Sequence, residues 1–170
     1  MRKRIFRPGI ALLAIAICGM PGLAGQATAQ TLVMHRIPAT MAMEAVVAAV
    51  EACAKQGYAE TAIIVDADGE TQALLRGDRT GIHSIDSATY KAYTSATMKI
   101  DTSALVEKEK TDPMGPGMAK IPRLLDAGGG VVIKLGDEVI GAIGASGAPG
   151  SALDEACAKA GLAKIQDRLK

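Results

Sequence analysis

Apolar and polar positions follow two periods along the chain, and together they predict four helices and two hairpins. Apolar residues recur at helical spacing over residues 41–56 and 84–98 and again in a last helix that begins at Ser151, and a shorter helix is predicted from residue 102 or 103 to about residue 112. Two β-branched runs, residues 61–66 and 70–76, flank Asp68-Gly69, and residues 131–135 and 138–145 flank Gly136-Asp137. Short turns of this kind between strands are typical of hairpins. The predicted order is therefore helix, hairpin, two helices, hairpin, helix.

This order predicts an α+β domain rather than a doubly wound parallel sheet, because hairpins imply antiparallel pairing. Helices should flank an antiparallel sheet of about five strands. Four strands come from the two hairpins, and the fifth is expected from residues 32–36 or from a neighbouring subunit. Ser84 and Ser151 are predicted to cap the helices that follow them, and Asp154 stands three residues after Ser151, as in a capping box.

Length and charge restrict the class of protein. The 170 residues suffice for one domain, and 19 basic residues against 18 acidic ones leave a net charge of +1. No basic cluster follows the first few residues, so a nucleic-acid partner is not expected. Aromatic residues make up only 2% of the chain, and none is Trp. The core must therefore be built mainly from Ala, Val, Ile, Leu and Met.

The N-terminus has the three parts of a secretory signal peptide over residues 1–29. Basic residues precede an apolar stretch over residues 10–18, and Ala27-Thr28-Ala29 matches an A-x-A cleavage site. The alternatives are a membrane anchor, for which the apolar run is too short, and a lipoprotein modified at Cys18. The signal peptide predicts a periplasmic or secreted protein without a later membrane span. Residues 30–39 should form an extended segment and residues 40–170 a single domain.

Two cysteines, Cys53 and Cys157, remain after such cleavage, and both lie in predicted helices. Each is placed on an apolar face at i, i+3, i+4, i+7 spacing. For the first helix this face contains Val46, Ala49, Val50 and Cys53, and for the last it contains Leu153, Ala156, Cys157 and Ala160. If the two helices pack together, their small side chains permit a disulfide. Two buried free thiols are the alternative.

Several motifs resemble the GlcG/HbpS family, the haem-binding-protein-like domain that is related to the C-terminal domain of PduO-type corrinoid adenosyltransferases. The motifs are Ile64-Val65-Asp66-Ala67-Asp68-Gly69, Lys91-Ala92-Tyr93-Thr94, Gly128-Gly129-Gly130, Gly141-Ala142-Ile143-Gly144-Ala145-Ser146-Gly147 and Asp154-Glu155-Ala156-Cys157. The resemblance extends from about residue 41 to residue 165. It implies a profilin-like α/β sandwich, homo-oligomers and, for some members, binding of haem or iron outside the cytoplasm.

Haem binding directs attention to residues that ligate iron or pair with propionates. His83, at the start of the second helix, is the candidate axial ligand, with a solvated loop histidine as the alternative; His35 is expected at the surface. The remaining candidates are Met114 and Met118 as soft ligands, Arg76, Arg79 and Lys91 for propionates, and Tyr90 and Tyr93 for stacking or ligation. No C-x-x-C-H motif for covalent haem is present.

A second candidate site is the glycine run that leads into the last helix. Gly144, Gly147 and Ser151 stand where backbone amides at a helix start could hold a carboxylate or phosphate. The spacing matches neither G-x-G-x-x-G nor a P-loop, so a nucleotide site is not expected. Glycines that permit close helix-on-sheet packing are the alternative.

Three classes of function remain open. The preferred one is an exported, non-catalytic protein that binds haem or a related tetrapyrrole or iron. The second is an enzyme or enzyme accessory module acting on a small anionic metabolite at a subunit interface, although Ser146 does not stand in a G-x-S-x-G motif. The third is a purely structural or sensor accessory module that acts through oligomerisation.

Overall fold

The chain folds into the predicted order of helices and hairpins. Its structure is a computed structural model that describes residues 31–113, 115–118 and 120–170. The helices are α1 (Ala39–Ala54), α2 (His83–Met98), α3 (Thr102–Glu109), the one-turn α4 (Gly115–Met118) and α5 (Ser151–Ile165), and a 3-10 turn, Gln166–Arg168, follows α5. The strands are β1 (Thr61–Asp66), β2 (Thr71–Arg76), β3 (Gly130–Leu135) and β4 (Glu138–Ser146). Residues 33–170 form one compact unit. The predicted signal peptide lies outside the described residues.

The strands form one antiparallel sheet in the order β2-β1-β4-β3. The β1–β2 turn uses Asp68-Gly69 as predicted, with Gly69 at a φ of +83°. Asp66 closes this turn, because its Oδ1 accepts hydrogen bonds from the amides of Asp68 and Glu70, both at 3.0 Å. The side chain thus replaces backbone partners inside the turn.

In the described part of the chain the sheet has four strands, one fewer than the expected number of about five. Residues 32–36 form no strand. Side chains hold this segment instead: both the amide and Nδ1 of His35 contact the Glu138 carboxylate, and Arg36 forms an ion pair with Asp66 at 2.6 Å. Without backbone pairing to an edge strand, the segment does not extend the sheet.

Helices cover both faces of the sheet and complete the sandwich that the family resemblance implies. On one face α1 and α5 pack over Ile64, Ile133 and Ile143, and on the other α2 packs over Ile63 and Val65. Strand β1 is buried along its whole length because it has helices on both sides. The core contains few large side chains, so the layers must approach closely.

A disulfide between Cys53 and Cys157 joins α1 to α5, which resolves the two alternatives for these cysteines. Their Cα atoms are 5.6 Å apart, within the range that a disulfide requires. The α1 face is as predicted, with Val46, Ala49 and Cys53 buried. The predicted α5 face is only half right: Cys157 is buried and Leu153 partly buried, but Ala156 and Ala160 are exposed. The buried side chains of α5 are Asp154, Glu155, Cys157, Ala158, Gly161 and Ile165.

Both predicted serine caps are also wrong. Helix α2 begins at His83, and Ser84 lies inside its first turn, where its hydroxyl donates to the Gly81 carbonyl oxygen at 2.6 Å. Helix α5 has Gly150 at its N-cap with no side-chain cap. Asp154 is turned inward, so it does not close a capping box.

None of the helices in the described ranges combines the length and the apolar character that crossing a bilayer would need.

Candidate functional site

One end of the sheet brings together the starts of two long helices. Thr61, the first residue of β1, pairs with Arg76 at the end of β2 and with Ser146 at the end of β4. Helices α2 and α5 each begin after a short loop from these strand ends. Hydroxyl pairs fix α2 there: Ser84 to Thr61 at 2.6 Å and Ser87 to Ser146 at 2.9 Å. The positive ends of two helix dipoles therefore lie at one edge, which favours anions.

His83 is the first residue of α2 and is exposed at this edge. Its ring makes no hydrogen bond to any other side chain or backbone group in the described part of the chain. The ring lies over Gly81, where a Cβ would come within 2.6 Å of His83 Cε1. Because residue 81 is a glycine, the His83 ring can occupy this space without a collision. The imidazole is available to an external ligand.

Arg76 and Gly147 lie at the same edge. The guanidinium of Arg76 donates one hydrogen bond, from Nη1 to the Thr80 carbonyl oxygen at 3.1 Å. Gly147 has a φ of +141°, and a Cβ there would be 2.3 Å from the Ala59 carbonyl oxygen. This glycine is required by backbone packing rather than by a ligand.

Lys91 does not reach the surface, as a contact to a propionate would require. It is 3% exposed. Its Nζ donates to Asp154 Oδ2 at 2.6 Å and to the Ala145 carbonyl oxygen at 3.2 Å, while Asp154 Oδ1 accepts from the Ala148 amide at 3.0 Å. The pair ties α2 to the first turn of α5 through the end of β4.

Glu60 lies behind this pair and was not among the predicted residues. It is 1% exposed, and its Oε2 lies 3.4 Å from Sγ of Cys53. Burial, reinforced by the neighbouring charge of Asp154, raises the pKa of Glu60 to about 8. Glu60 therefore carries a proton at neutral pH, whereas Lys91 and Asp154 form the ion pair.

A groove of about 470 Å³ lies between α3 and the start of α5. Its lining comprises Ser103, Val106, Glu107, Asp126, Ala127, Gly128, Ser151, Ala152, Glu155, Ala156 and Lys159. Among the predicted site residues only Ser151 lines it. The volume is within the range of about 300 to 1,000 Å³ that is usual for small-molecule sites.

The lining of the groove includes an ion pair between Glu155 and Lys159, whose Oε1 and Nζ atoms are 2.5 Å apart. Burial raises the pKa of Glu155, but hydrogen bonding from Lys159 and Ser103 outweighs it and brings the pKa below its usual value. Glu155 is therefore ionised at neutral pH.

Four other predicted residues lie away from the sheet edge that holds His83. Gly144 is buried under α2, and a Cβ there would be 2.2 Å from the Ala88 carbonyl oxygen, so close packing explains this glycine. Tyr93 packs against Gly69 in the β1–β2 turn and under Arg123, 4.1 Å from the ring centroid. Tyr90 is partly exposed on α2. Met118 ends α4.

Two predicted site residues remain, Arg79 and Met114. Arg79 is exposed with a φ of +65° in the loop before α2, and Met114 lies outside the described residues. Within the described ranges no group of three or more His, Cys, Asp or Glu side chains is placed to hold a metal ion.

Sequence reasoning missed Glu60 and most of the groove. Glu155 and Lys159 stand at i, i+4 spacing, which signals an ion pair on a helix but gives no indication that it lies in a groove. For Glu60, which comes directly before a buried strand, no sequence signal distinguishes a buried carboxyl group from a solvated one.

The family model for "Haem degrading protein HbpS-like" matches residues 37–163. A crystal structure of HbpS is 34% identical, with a TM-score of 0.74, over 79% of this chain and 93% of that one. A double mutant of HbpS from Streptomyces reticuli is 32% identical, with a TM-score of 0.74, over 92% and 97%.

A PduOC:haem complex, 24% identical over 77% of this chain and 96% of that one with a TM-score of 0.69, shares the fold. The search of curated proteins found no match.

Proposed function

Because this chain belongs to the HbpS-like family, whose model spans residues 37–163, we propose that it is a haem-binding protein. Support comes from its similarity to HbpS at 34% identity and from a neighbouring fold, PduOC, that was crystallised with haem. The observation in this chain that carries the proposal is the exposed imidazole of His83, which has no partner among the described residues. Imidazole nitrogen is a common axial ligand of haem iron.

The surroundings of His83 suit the rest of a haem. Haem carries two propionates, and the starts of α2 and α5 supply positive dipole ends at the same sheet edge. Arg76 adds a guanidinium with donors beyond the one that binds Thr80. In this proposal His83 ligates iron and Arg76 pairs with a propionate. Lys91 and Gly144 have no part in it because both are buried.

An absorption titration with hemin tests the proposal. We expect saturable one-to-one binding with a shifted Soret band, and a loss of affinity of at least about tenfold in His83→Ala, since each tenfold corresponds to about 1.4 kcal/mol. His35→Ala is the matched control: this histidine is bound by Glu138 instead, and its removal should leave the titration unchanged. Only the spectrum of free hemin in the wild type would contradict haem binding.

Gly81→Ala gives a finer test of the ligand. A Cβ at position 81 collides with the His83 ring but with no backbone atom within 3 Å. The ring must move while the fold stays intact. We expect weaker hemin binding with an unchanged melting temperature. Hemin binding that resists both this substitution and His83→Ala would place the ligand elsewhere.

The proposal is one of binding without turnover. The family description refers to haem degradation, so the Soret band of the complex should also be followed over time with a reductant in air. A steady band is expected. Decay that needs the folded protein would favour the enzyme alternative.

We also propose that the protein is exported to the periplasm or secreted. The signal-peptide features of residues 1–29 support this, and so does the disulfide between Cys53 and Cys157, since disulfides persist in oxidising compartments. Cell fractionation followed by mass determination of the N-terminus tests it. A product in the oxidising compartment that begins near Gln30 is expected.

A homo-oligomer is the third element of the proposal. Strands β2 and β3 are the two edges of the sheet, and exposed edges are usually paired or covered. Size-exclusion chromatography with light scattering should give a mass of two or more chains. A monomer at micromolar concentration would contradict assembly.

A further inference from the structure

Glu60 is a buried carboxyl group that the proposed haem site does not use, and it lies against the disulfide. Its Oε2 is 3.4 Å from Sγ of Cys53, and the two residues are 1% and 0% exposed. Oε1 of Glu60 is also buried and forms no hydrogen bond of normal geometry. Because a buried charge without partners is costly, the chemical state of the neighbouring sulfur affects the charge that Glu60 carries.

The disulfide determines which side chain supplies a hydrogen to this contact. A disulfide sulfur has no hydrogen and is a weak acceptor, so a hydrogen bond between Cys53 and Glu60 must be donated by the carboxyl group. A free thiol at Cys53 has a hydrogen of its own, which an ionised carboxylate accepts. The disulfide therefore favours a neutral Glu60, and the dithiol favours an ionised one.

The other charged groups that face Glu60 belong to α2 and α5. Burial and then the charge of Asp154 on α5 raise the pKa of Glu60, while a hydrogen bond with the Ala148 backbone and the charge of Lys91 on α2 lower it. Asp154 and Lys91 hold each other ionised in their 2.6 Å pair. The neighbour that differs between the oxidised and the reduced protein is therefore Cys53.

Cys53 lies in the last turn of α1, which leads into an exposed turn over residues 54–57. Ends of helices open locally at a lower free energy than the whole fold. Both sulfurs are buried in the closed form, so a small thiol reaches the disulfide when this last turn opens.

We propose that Glu60 exchanges a proton with Cys53 when the disulfide forms or breaks. In reduction by a small thiol, two thiol molecules supply two electrons and become a disulfide, and the bond between Cys53 and Cys157 breaks. Cys53 takes its proton from Glu60, and Cys157 takes one of the two protons that the thiols release. The other proton goes to the solvent, so the disulfide is easier to reduce as pH rises. The exchange is independent of haem binding, since no hemin contact is involved.

Exchange with reduced and oxidised glutathione tests the proposal on the full protein without hemin. The equilibrium constant is measured at about pH 6.5 and about pH 7.5, from the oxidised and the reduced side, by alkylation of free thiols and mass spectrometry. Over this unit of pH, reduction of the wild type should become about threefold to tenfold more favourable, tenfold being the limit for one released proton.

Glu60→Gln releases no proton, so its equilibrium constant should stay constant while the thiols remain mostly protonated. Glu51→Gln, at an exposed position of α1, is the matched control and should behave as the wild type. A wild-type constant that does not change with pH, or an equal change in Glu60→Gln, would overturn the proposal.

A pair of variants without the disulfide tests the contact itself, and it decides the question also if the reduced protein unfolds. Cys53→Ser with Cys157→Ala leaves a hydrogen donor beside Glu60, whereas Cys53→Ala with Cys157→Ala leaves none. The pKa of Glu60, followed by NMR of its carboxyl carbon, should be lower in the serine variant by about one pH unit or more, as a hydrogen bond to an ionised group predicts. Equal pKa values in the two variants would overturn the proposal, whatever the glutathione exchange shows.

Discussion

Lys91 Nζ and Asp154 Oδ2 lie 2.6 Å apart in the interior, with side chains only 4% and 6% exposed. This ion pair connects the middle of α2 with the first turn of α5. Both ends have further partners, the Ala145 carbonyl oxygen and the Ala148 amide. The pair is therefore a buried cross-link between the two helical layers, and its charges depend on each other.

Removing one partner should strongly destabilise the fold. Lys91→Met leaves the Asp154 carboxylate buried without its cation, and we expect a loss of about 3 to 5 kcal/mol in the free energy of unfolding, measured by urea titration. Lys110→Met breaks the exposed pair with Glu107 and should cost less than about 1 kcal/mol. Equal losses of unfolding free energy in the two variants would show that the buried ion pair stabilises the fold no more than the exposed one does.

Glu60 should make stability fall with rising pH. Its pKa in the folded protein is raised to about 8 from an ordinary value of 4.5. Between these values the folded state holds a proton that the unfolded state releases, so its contribution is full below pH 4.5 and lost as pH rises to about 8, by about 1.4 kcal/mol per pH unit.

Glu60→Gln removes this titration and should abolish that part of the slope. Urea midpoints at intervals from pH 5 to about pH 9 would show it, with the variant gaining most over the wild type at the alkaline end. Glu51→Gln, at an exposed position of α1, should keep the wild-type slope. If Glu60→Gln shows the same slope as the wild type, the buried carboxyl group does not carry a raised pKa.

The disulfide should contribute a large part of the stability. Cys53 and Cys157 are 104 residues apart, and closing a loop of about this length stabilises by about 5 kcal/mol in the chain-entropy model. We expect the Cys53→Ala, Cys157→Ala double variant to lose most of that amount. Dithiothreitol should lower the denaturation midpoint of the wild type and leave that of the double variant unchanged, and insensitivity of both would mean that the bond contributes nothing.

Gly144 should tolerate no side chain, because β4 and α2 are in backbone contact there. Gly144→Ala places a Cβ 2.2 Å from the Ala88 carbonyl oxygen. The layers must separate, and we expect a loss of about 1 to 3 kcal/mol or more. Gly117→Ala, with open space around it, is the control. A wild-type melting temperature for Gly144→Ala would instead leave a ligand as the reason for this glycine.

The sequence predicted the elements well because their signals are local. The β1–β2 turn depends on Asp68-Gly69, and the strands on β-branched runs that a neighbouring turn already delimits. The order of these elements then restricts the topology, so the α+β sandwich follows. The disulfide remained an alternative, since it depends on whether two distant helices touch.

The buried face of α5 is a feature that the apolar pattern of the sequence does not predict correctly. The apolar pattern predicts that Ala156 and Ala160 are buried and that Asp154 caps the helix. In the structure Asp154 and Glu155 are buried, and the two alanines are exposed. The carboxyl groups are tolerated inside because Lys91 meets one and Lys159 the other. Alanine side chains are too small to indicate which face of a helix is buried. The apolar pattern of a single helix also gives no sign of an ion-pair partner on another helix.

The pairing of α1 with α5 has a consequence for how the chain matures. The first helix of the domain meets its disulfide partner only in α5, 104 residues later, so although α1 can pack on β1 and β2 early, its contact with α5 cannot form until that helix has been synthesised. Contacts between distant segments also form slowly. The disulfide between α1 and α5 is therefore among the last contacts that the chain can complete, and its oxidation locks a fold whose other layers are already in place.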